Sequence, residues 1–257
     1  MTTDLKITLL NINGIRNKRH EVVQLLSKHN PHLLLITESK LNSFIPDSAI
    51  SFTGYKIIRV DRNLSKHSAG GLLIFISNHL THNIKSQNKI ADCENISLNI
   101  SLTKKKSLNL TLLYRPPNSN LNNFLLSLDK YLNLLDPTEL SLIAGDFNID
   151  VFNLPLSTSA KNYMQILSSN SFKQIVDQPT RLSPQCHSII DHILISTAIT
   201  DFSIHVFDSC CSDHQGIRSL KESCNNNSHQ NHSFISYRDS KNFSKENFQA
   251  DTTLHIQ

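Results

Sequence analysis

Short apolar runs recur along this chain, each of strand length and many ending on a polar group, and this pattern restricts the fold more than any other feature. LKITLLNI, HLLLITES, YKIIRV, GGLLIFISN, NISLNISL, SLNLTLLY, LSLIAGDFNID, IIDHILIS and DFSIHVFD all read as strands. HLLLITES is continuously apolar, as expected of a strand buried on both faces. NISLNISL and SLNLTLLY flank Lys104–Lys106 and read as a hairpin, whose tip accounts for the longest basic run without a nucleic-acid patch. Helical spacing appears in KRHEVVQLLSKHN, through Val22, Leu25, Leu26 and His29, and Pro31 closes it. A second helix carries the stripe Leu121, Phe124, Leu125, Leu128, Leu132 and Leu135, and a third is expected around AKNYMQILSSN. PTRLSPQCHS reads as a loop, and SDHQGIRSL as a polar tripeptide leading to a last short strand. Strands outnumber helices, and the central hairpin argues against one doubly wound parallel sheet. Two facing sheets with helices outside would bury this many apolar strands.

The 257 residues suffice for a large core, and 39% hydrophobic with 18% charged residues is ordinary globular composition. The composition changes near Lys221, where a polar, Asn-rich stretch begins. Residues 1–220 are therefore expected to form one domain and 221–257 a tail or linker. The formal charge of +4 mildly favours a polyanionic partner. Five cysteines without C-x-x-C spacing exclude a zinc ribbon and favour reduced intracellular thiols. The start MTTDLKITLLNING lacks a secretory pattern, and no apolar run approaches a membrane span. No membrane partner is expected.

The strand exits carry the functional signal. Asn11, Glu38, Tyr114, Asp146 with Asn148, Asp191 with His192, and Asp213–His214 each lie after or beside an apolar run. Residues i and i+2 share a strand face, so Asp146 and Asn148 are expected side by side, with Phe147 turned into packing. Alone, Gly-Asp-Phe-Asn is ordinary turn chemistry; Glu38 alone is a strand end, Tyr114 core and His214 a surface histidine. Six such exits in succession point to one polar site at the mouth of a packed sheet structure.

NING at 11–14, TES at 37–39, YRPPN at 114–118, GDFN at 145–148, IDHI at 190–193 and SDH at 212–214 occur in that order. Together they resemble the endonuclease/exonuclease/phosphatase superfamily over roughly residues 5–220, and within it the endonuclease domains of LINE-type (non-LTR) retrotransposons. YRPPN, GDFNID, PTR before the IIDH stretch, and the tail YRDSKNFSKENF carry the retrotransposon likeness. The resemblance implies a four-layer α/β sandwich of two mixed, mainly antiparallel sheets with outer helices. It implies a Mg²⁺-dependent endonuclease, with Mn²⁺ as a substitute, that nicks one strand of duplex DNA in the nucleus. The 3′-hydroxyl left behind would prime reverse transcription by a polymerase domain that this chain does not contain.

Phosphodiester hydrolysis needs an activated water, charge relief at phosphorus and stabilisation of the leaving oxygen. By resemblance Glu38 and Asn11 form the metal corner, with Asp213 a second contributor; oxygen donors suit a hard cation such as Mg²⁺. Asp146 matches the carboxylate that orients or deprotonates the water. Asn148 would donate to a phosphate oxygen, Tyr114 would contact the phosphate, and His214 would face it with Asp191 holding the ring. Asn13, Thr180 and Ser188 are expected in supporting or DNA-contact positions. The same motifs leave open an apurinic/apyrimidinic repair endonuclease, a phosphatase or other phosphodiesterase of the superfamily, and an inactive DNA-binding remnant. The absence of tryptophan departs from the family pattern.

Overall fold

Alternation decides where the side chains of each strand go, and the computed structural model shows two sheets sharing one inner core. It describes residues 4–221 except 63–68, 86–89, 154, 156, 184 and 185, so the tail beyond Lys221 lies outside the described residues. In chain order the elements are β1 (Leu5–Asn11), α1 (Arg19–His29), β2 (Leu33–Thr37), β3 (Tyr55–Val60), β4 (Leu72–Ser77), β5 (His82–Ile84), β6 (Glu94–Ser101) and β7 (Ser107–Tyr114). There follow α2 (Leu121–Asn133), β8 (Leu140–Asp146), α3 (Thr158–Ser169), β9 (Phe172–Gln174), β10 (Arg181–Leu182), β11 (His187–Ser188), β12 (Asp191–Ser196), β13 (Phe202–Phe207) and β14 (Gly216–Lys221).

One six-stranded sheet has the order β13-β14-β1-β2-β4-β3, the other β5-β6-β7-β8-β12-β9. The stretch read as a loop at PTRLSPQCHS instead contains a small β10–β11 ladder, with Arg181 opposite Ser188 and Leu182 opposite His187. In β2, Leu33 and Leu35 enter the core between the sheets, while Leu34 and Ile36 face the α1 side. That accounts for its continuous apolar run. The core between the sheets continues through Ile96, Leu98, Leu110, Leu112, Leu142, Ala144 and Ile193. On the far side of the second sheet, Phe124, Leu125, Leu128 and Leu132 of α2 and Tyr163 and Leu167 of α3 pack on Ile143 and Leu194. The layers are thus helix, sheet, sheet, helix. Leu121 and Leu135 of the expected stripe are only partly buried, and Leu135 lies beyond the helix end.

Local chemistry sets the helix limits. Asn120 and Ser157 cap α2 and α3 by accepting from the N–H groups of Asn123 and Ala160. The first helix ends at Asn30, whose left-handed backbone (φ 41°) directs its N–H to Leu26 O.

Each sheet is built around one parallel pair joined through a helix: β1–α1–β2 and β7–α2–β8. Asn11, Thr37, Tyr114 and Asp146 all lie at the carboxyl ends of these four strands. The antiparallel neighbours then return to the same rim. Asp191, the first residue of β12, pairs with Asp146, and β14 runs antiparallel to β1 so that Asp213 and His214 precede its start. Polar strand exits far apart in sequence meet because the topology gives them one shared end.

Candidate active site

Asn11 joins the two sheets at that rim. Its Nδ2 donates to Asp146 Oδ2 (2.9 Å) and Glu38 Oε1 (3.2 Å), while its Oδ1 accepts the Asn13 N–H. Tyr114 Oη donates to the same Glu38 oxygen at 3.2 Å. Asn13, Glu38, Lys40 and Asn148 all have positive φ, between 50° and 55°. Such backbone costs non-glycine residues free energy and persists where the surroundings hold it. Here the holding is explicit. Gly14 and Ile15 donate to the carbonyls of Glu38 and Ser39, and Ser39 and Lys40 donate to those of Gly71 and Gly70.

Asp146 is 1% exposed, and its Oδ1 accepts the Asn148 N–H at 3.0 Å. Beside it, Asp191 Oδ2 and His214 Nδ1 are 2.7 Å apart, both residues being buried. Ligand atoms of Asp146, Asp191 and His214 lie within 4.8 Å of one another, a grouping that could hold a metal ion. Burial, followed by the Asp191 charge, pushes the Asp146 carboxyl up to about 8; His214 and the hydrogen bonds from Asn11 and Asn148 oppose that rise. For His214 burial acts downward, but the charge and hydrogen bond of Asp191, with smaller pulls from Asp146 and Asp213, together outweigh it, and the ring rises to about 9. His214 is therefore an imidazolium at neutral pH. Burial, with Glu38 and Asp146 nearby, raises Tyr114 far above an ordinary phenol, so it stays a hydrogen-bond donor.

These donors fit a hard divalent cation. The rim offers carboxylate oxygens, and Asp191 Oδ1 is buried with no hydrogen-bond partner. Glu38 stands outside the Asp146–Asp191–His214 grouping and is linked to Asp146 through Asn11. With its amide nitrogen toward both carboxylates, Asn11 acts as a bridge; presenting oxygen to a cation would require its amide to turn.

Several positions differ from the sequence expectations. The β8 strand ends at Asp146 and Asn148 is left-handed, so strand alternation stops between them. Asn148 therefore turns its side-chain NH₂ to Arg115 O at 2.8 Å, and its backbone N–H, not its amide, meets Asp146. Phe147 is fully buried as expected, stacked on His192 at 5.0 Å. His192 leaves the polar rim because neighbours in a strand face opposite ways. Its Nδ1 meets the Tyr163 hydroxyl, its Nε2 meets Ile189 O, and burial lowers it to about 4, leaving the ring neutral.

Asp213 pairs with Arg181 at 2.9 Å, roughly half exposed, and is not one of the three grouped ligands. Thr180 is completely buried and cannot touch DNA from this position; its hydroxyl accepts the N–H groups of Ile190 and Asp191, so it holds Asp191. Ser188 is half-buried, with its carbonyl accepting the Thr180 N–H. Asn13 is exposed, and its side-chain oxygen accepts from Lys40 Nζ.

Two residues at the rim escaped the sequence reading. Arg115 is 3% exposed and clamps the strand exit: Nε donates to Phe147 O at 2.6 Å and Nη2 to Asn148 O at 2.8 Å, while its backbone N–H reaches Asp146 O. The signal available was a permanent charge inside YRPPN, directly after a buried strand. Glu94 stands opposite Tyr114, and its Oε2 accepts the Gly71 N–H at 2.6 Å. Gly70 and Gly71 have φ of 101° and 87°; a Cβ on Gly70 would lie 2.8 Å from Glu94 Oε1, and one on Gly71 2.5 Å from Ser39 Oγ. No local pattern marks Glu94, because Gly71 reaches it from the turn just before β4 of the other sheet.

Among solved structures, the endonuclease domain of TRAS1, a telomere-specific non-LTR retrotransposon, superposes with a TM-score of 0.69 at 15% identity, covering 85% of this chain and 98% of that one. An AP endonuclease, LMAP, from Leishmania major gives 0.71 at 12% identity, covering 86% and 88%. An AP endonuclease from Archaeoglobus fulgidus gives 0.65 at 18% identity, covering 85% and 100%. These superpositions show a shared fold. A sequence search of curated proteins finds no match. The profile of the Endonuclease/Exonuclease/phosphatase family spans residues 9–214, taking in the rim from Asn11 to His214. On that match, together with the two-sheet fold, the chain belongs to the endonuclease/exonuclease/phosphatase family.

Proposed function

We propose that this chain is a Mg²⁺-dependent endonuclease, with Mn²⁺ able to substitute, that nicks one strand of duplex DNA and leaves a 3′-hydroxyl. The observation that carries the reading is the Asp191–His214 pair set beside Asp146 at the shared end of two sheets. Glu38 and Asp146, with Asn11 after rotation of its amide, would hold the cation, which supplies charge relief at the phosphate. With the cation bound beside it, the Asp146 carboxyl would be ionised, so Asp146 would orient the attacking water and take its proton. With Nδ1 held by Asp191, His214 directs its other ring nitrogen and its positive charge at a phosphate oxygen, where negative charge grows in the transition state. Tyr114 keeps its proton and adds a donor. Arg115 and Thr180 fix Asp146 and Asp191; Asn13 and Ser188 would contact the flanking DNA. One such constellation attacks one phosphate at a time.

The similarity to the TRAS1 endonuclease domain, together with YRPPN and GDFNID, supports a retrotransposon role for the nick: priming reverse transcription in the nucleus by a polymerase domain of a longer parent element. The test is conversion of supercoiled plasmid to the relaxed form with and without Mg²⁺, followed by mapping on end-labelled duplexes. Extension of the nick by a DNA polymerase without phosphatase treatment is the expected result. Strong preference for an abasic duplex would instead assign a repair endonuclease. Hydrolysis of a phosphoinositide without DNA nicking would assign a phosphatase. Binding without cleavage in any metal would assign an inactive remnant.

A further inference from the structure

Helix α1 covers the outer face of the first sheet unevenly. Its Val22 and Leu25 pack with Leu10, Leu34 and Phe75, over β1, β2 and β4. Toward the β13 edge the face is open, and strand register lines up what it shows. Arg218 is paired with Thr8 on one side and His205 on the other, while Leu220 lies between Lys6 and Ser203. A cavity of about 370 Å³ occupies this place, bounded by Lys6, Arg218 and His205 from the strands and by Lys28 and His29 from the end of α1. No carboxylate lines it among the described residues. Lys6, Lys28, His205 and Arg218 are exposed.

Lys28 and His29 have a local reason to be where they are, since basic groups in a last turn offset the helix dipole. That reason does not extend to Lys6, His205 and Arg218, which come from three different strands. Arg218 approaches His29 Nδ1 to 3.5 Å, so the imidazole turns a lone pair to the guanidinium. Burial and then the neighbouring Arg218 and Lys28 charges hold His29 below its ordinary range. The groove thus gathers like charge that an anion would relieve. From Lys6 to Asn11 the chain advances about 17 Å along β1. That exceeds the screening length of roughly 8–10 Å at physiological salt, so these charges are electrostatically separate from the rim.

We infer that this groove is a second nucleic-acid contact, seating the phosphodiester backbone of a duplex DNA arm away from the scissile bond. Its cations Lys6, Arg218 and Lys28 are spread over two strands and a helix end, with His205 of a third strand beside them, an arrangement that suits a chain of phosphates better than one compact ion. The choice of DNA as the polyanion rests on the endonuclease reading above. The groove itself does not depend on cleavage.

The test uses the whole chain and a long fluorescent duplex without divalent metal, so that binding is read apart from nicking. The double variant K28E/R218E should bind at least about tenfold more weakly, and the slope of log affinity against log salt should fall by about 2, one phosphate contact per cation removed. H205E, an exposed change on the edge strand, should shift the slope in the same direction and guards against a folding defect in the double variant. With Mg²⁺, K28E/R218E should raise KM for a long duplex while leaving kcat and the cleavage of a short duplex unchanged. An unchanged salt slope in variants with wild-type melting temperature overturns the groove, whether or not the protein nicks. A reduced slope in a protein that nicks no DNA keeps the groove and overturns the endonuclease reading.

Discussion

Replacing Asp191 by Asn removes the anion that holds His214 while keeping nearly the same side-chain shape. The rise of the His214 ring from 6.5 to about 9 corresponds to about 3 kcal/mol of preference for its charged form. Burial alone acts in the opposite direction, and Asp146 and Asp213 add smaller upward pulls. In D191N the ring should therefore titrate close to 6.5 or below. The stability linked to this group in the wild type is fully present below 6.5 and is lost as pH rises through about 9. The melting-temperature gap between wild type and D191N should accordingly be widest below pH 6.5 and close toward pH 9. For a domain of this size, 3 kcal/mol corresponds to about 6–12 °C. That is an upper figure, because Asp146 loses a like-charged neighbour in the variant. The direct assay is an NMR titration of the ring carbon-bound protons in metal-free protein, with thermal melts across the same pH range. In the nicking reaction the alkaline limb should move to lower pH. A His214 ring that titrates at the wild-type pH in D191N would refute the reasoning, since the raised value would then not come from Asp191.

Glu38→Ala should lower nicking by roughly a hundredfold or more, the scale of losing one electrostatic stabiliser, with an unchanged circular dichroism spectrum; nicking at the wild-type rate would remove Glu38 from the metal corner. Arg115→Met keeps the bulk but leaves the Phe147 and Asn148 carbonyls without their buried donor, so urea denaturation should show a loss of about 3 kcal/mol. An unmoved midpoint would mean that Arg115 does not clamp the Asp146 exit. Gly71→Ala places a Cβ 2.5 Å from Ser39 Oγ at a φ of 87°, which should cost roughly 1–3 kcal/mol and raise the Mg²⁺ concentration needed for half-maximal nicking. An unaltered Mg²⁺ requirement would separate this loop from Glu38.

Much of the fold was legible because a strand declares its two faces locally. The continuous run Leu33–Thr37, the Lys104–Lys106 hairpin and the α2 stripe each need only neighbours in sequence to be read, and the structure contains all three. The polar exits were equally legible as a set, and Asn11, Glu38, Tyr114, Asp146, Asp191 and His214 do gather at one rim. Their convergence was decided only by tertiary structure. The Asn11–Asp146 hydrogen bond spans 135 residues, and the two reach each other because both close a parallel strand of a helix-crossed pair, one in each sheet.

The departures have the same origin. Asn148 was placed by alternation two residues past the strand end, where a left-handed backbone and the Arg115 carbonyl took over. Asp213 faces Arg181 of the β10–β11 ladder, which the loop-like stretch at 179–188 concealed. Glu94 has no local signature, since its partners are Gly71, just before β4 of the other sheet, and Tyr114 across its own. Sequence alone determined which residues each strand could offer to its faces and its end, because side-chain direction is a property of one element. Tertiary structure decided which of those offers met, because register between sheets is set by packing among residues far apart along the chain.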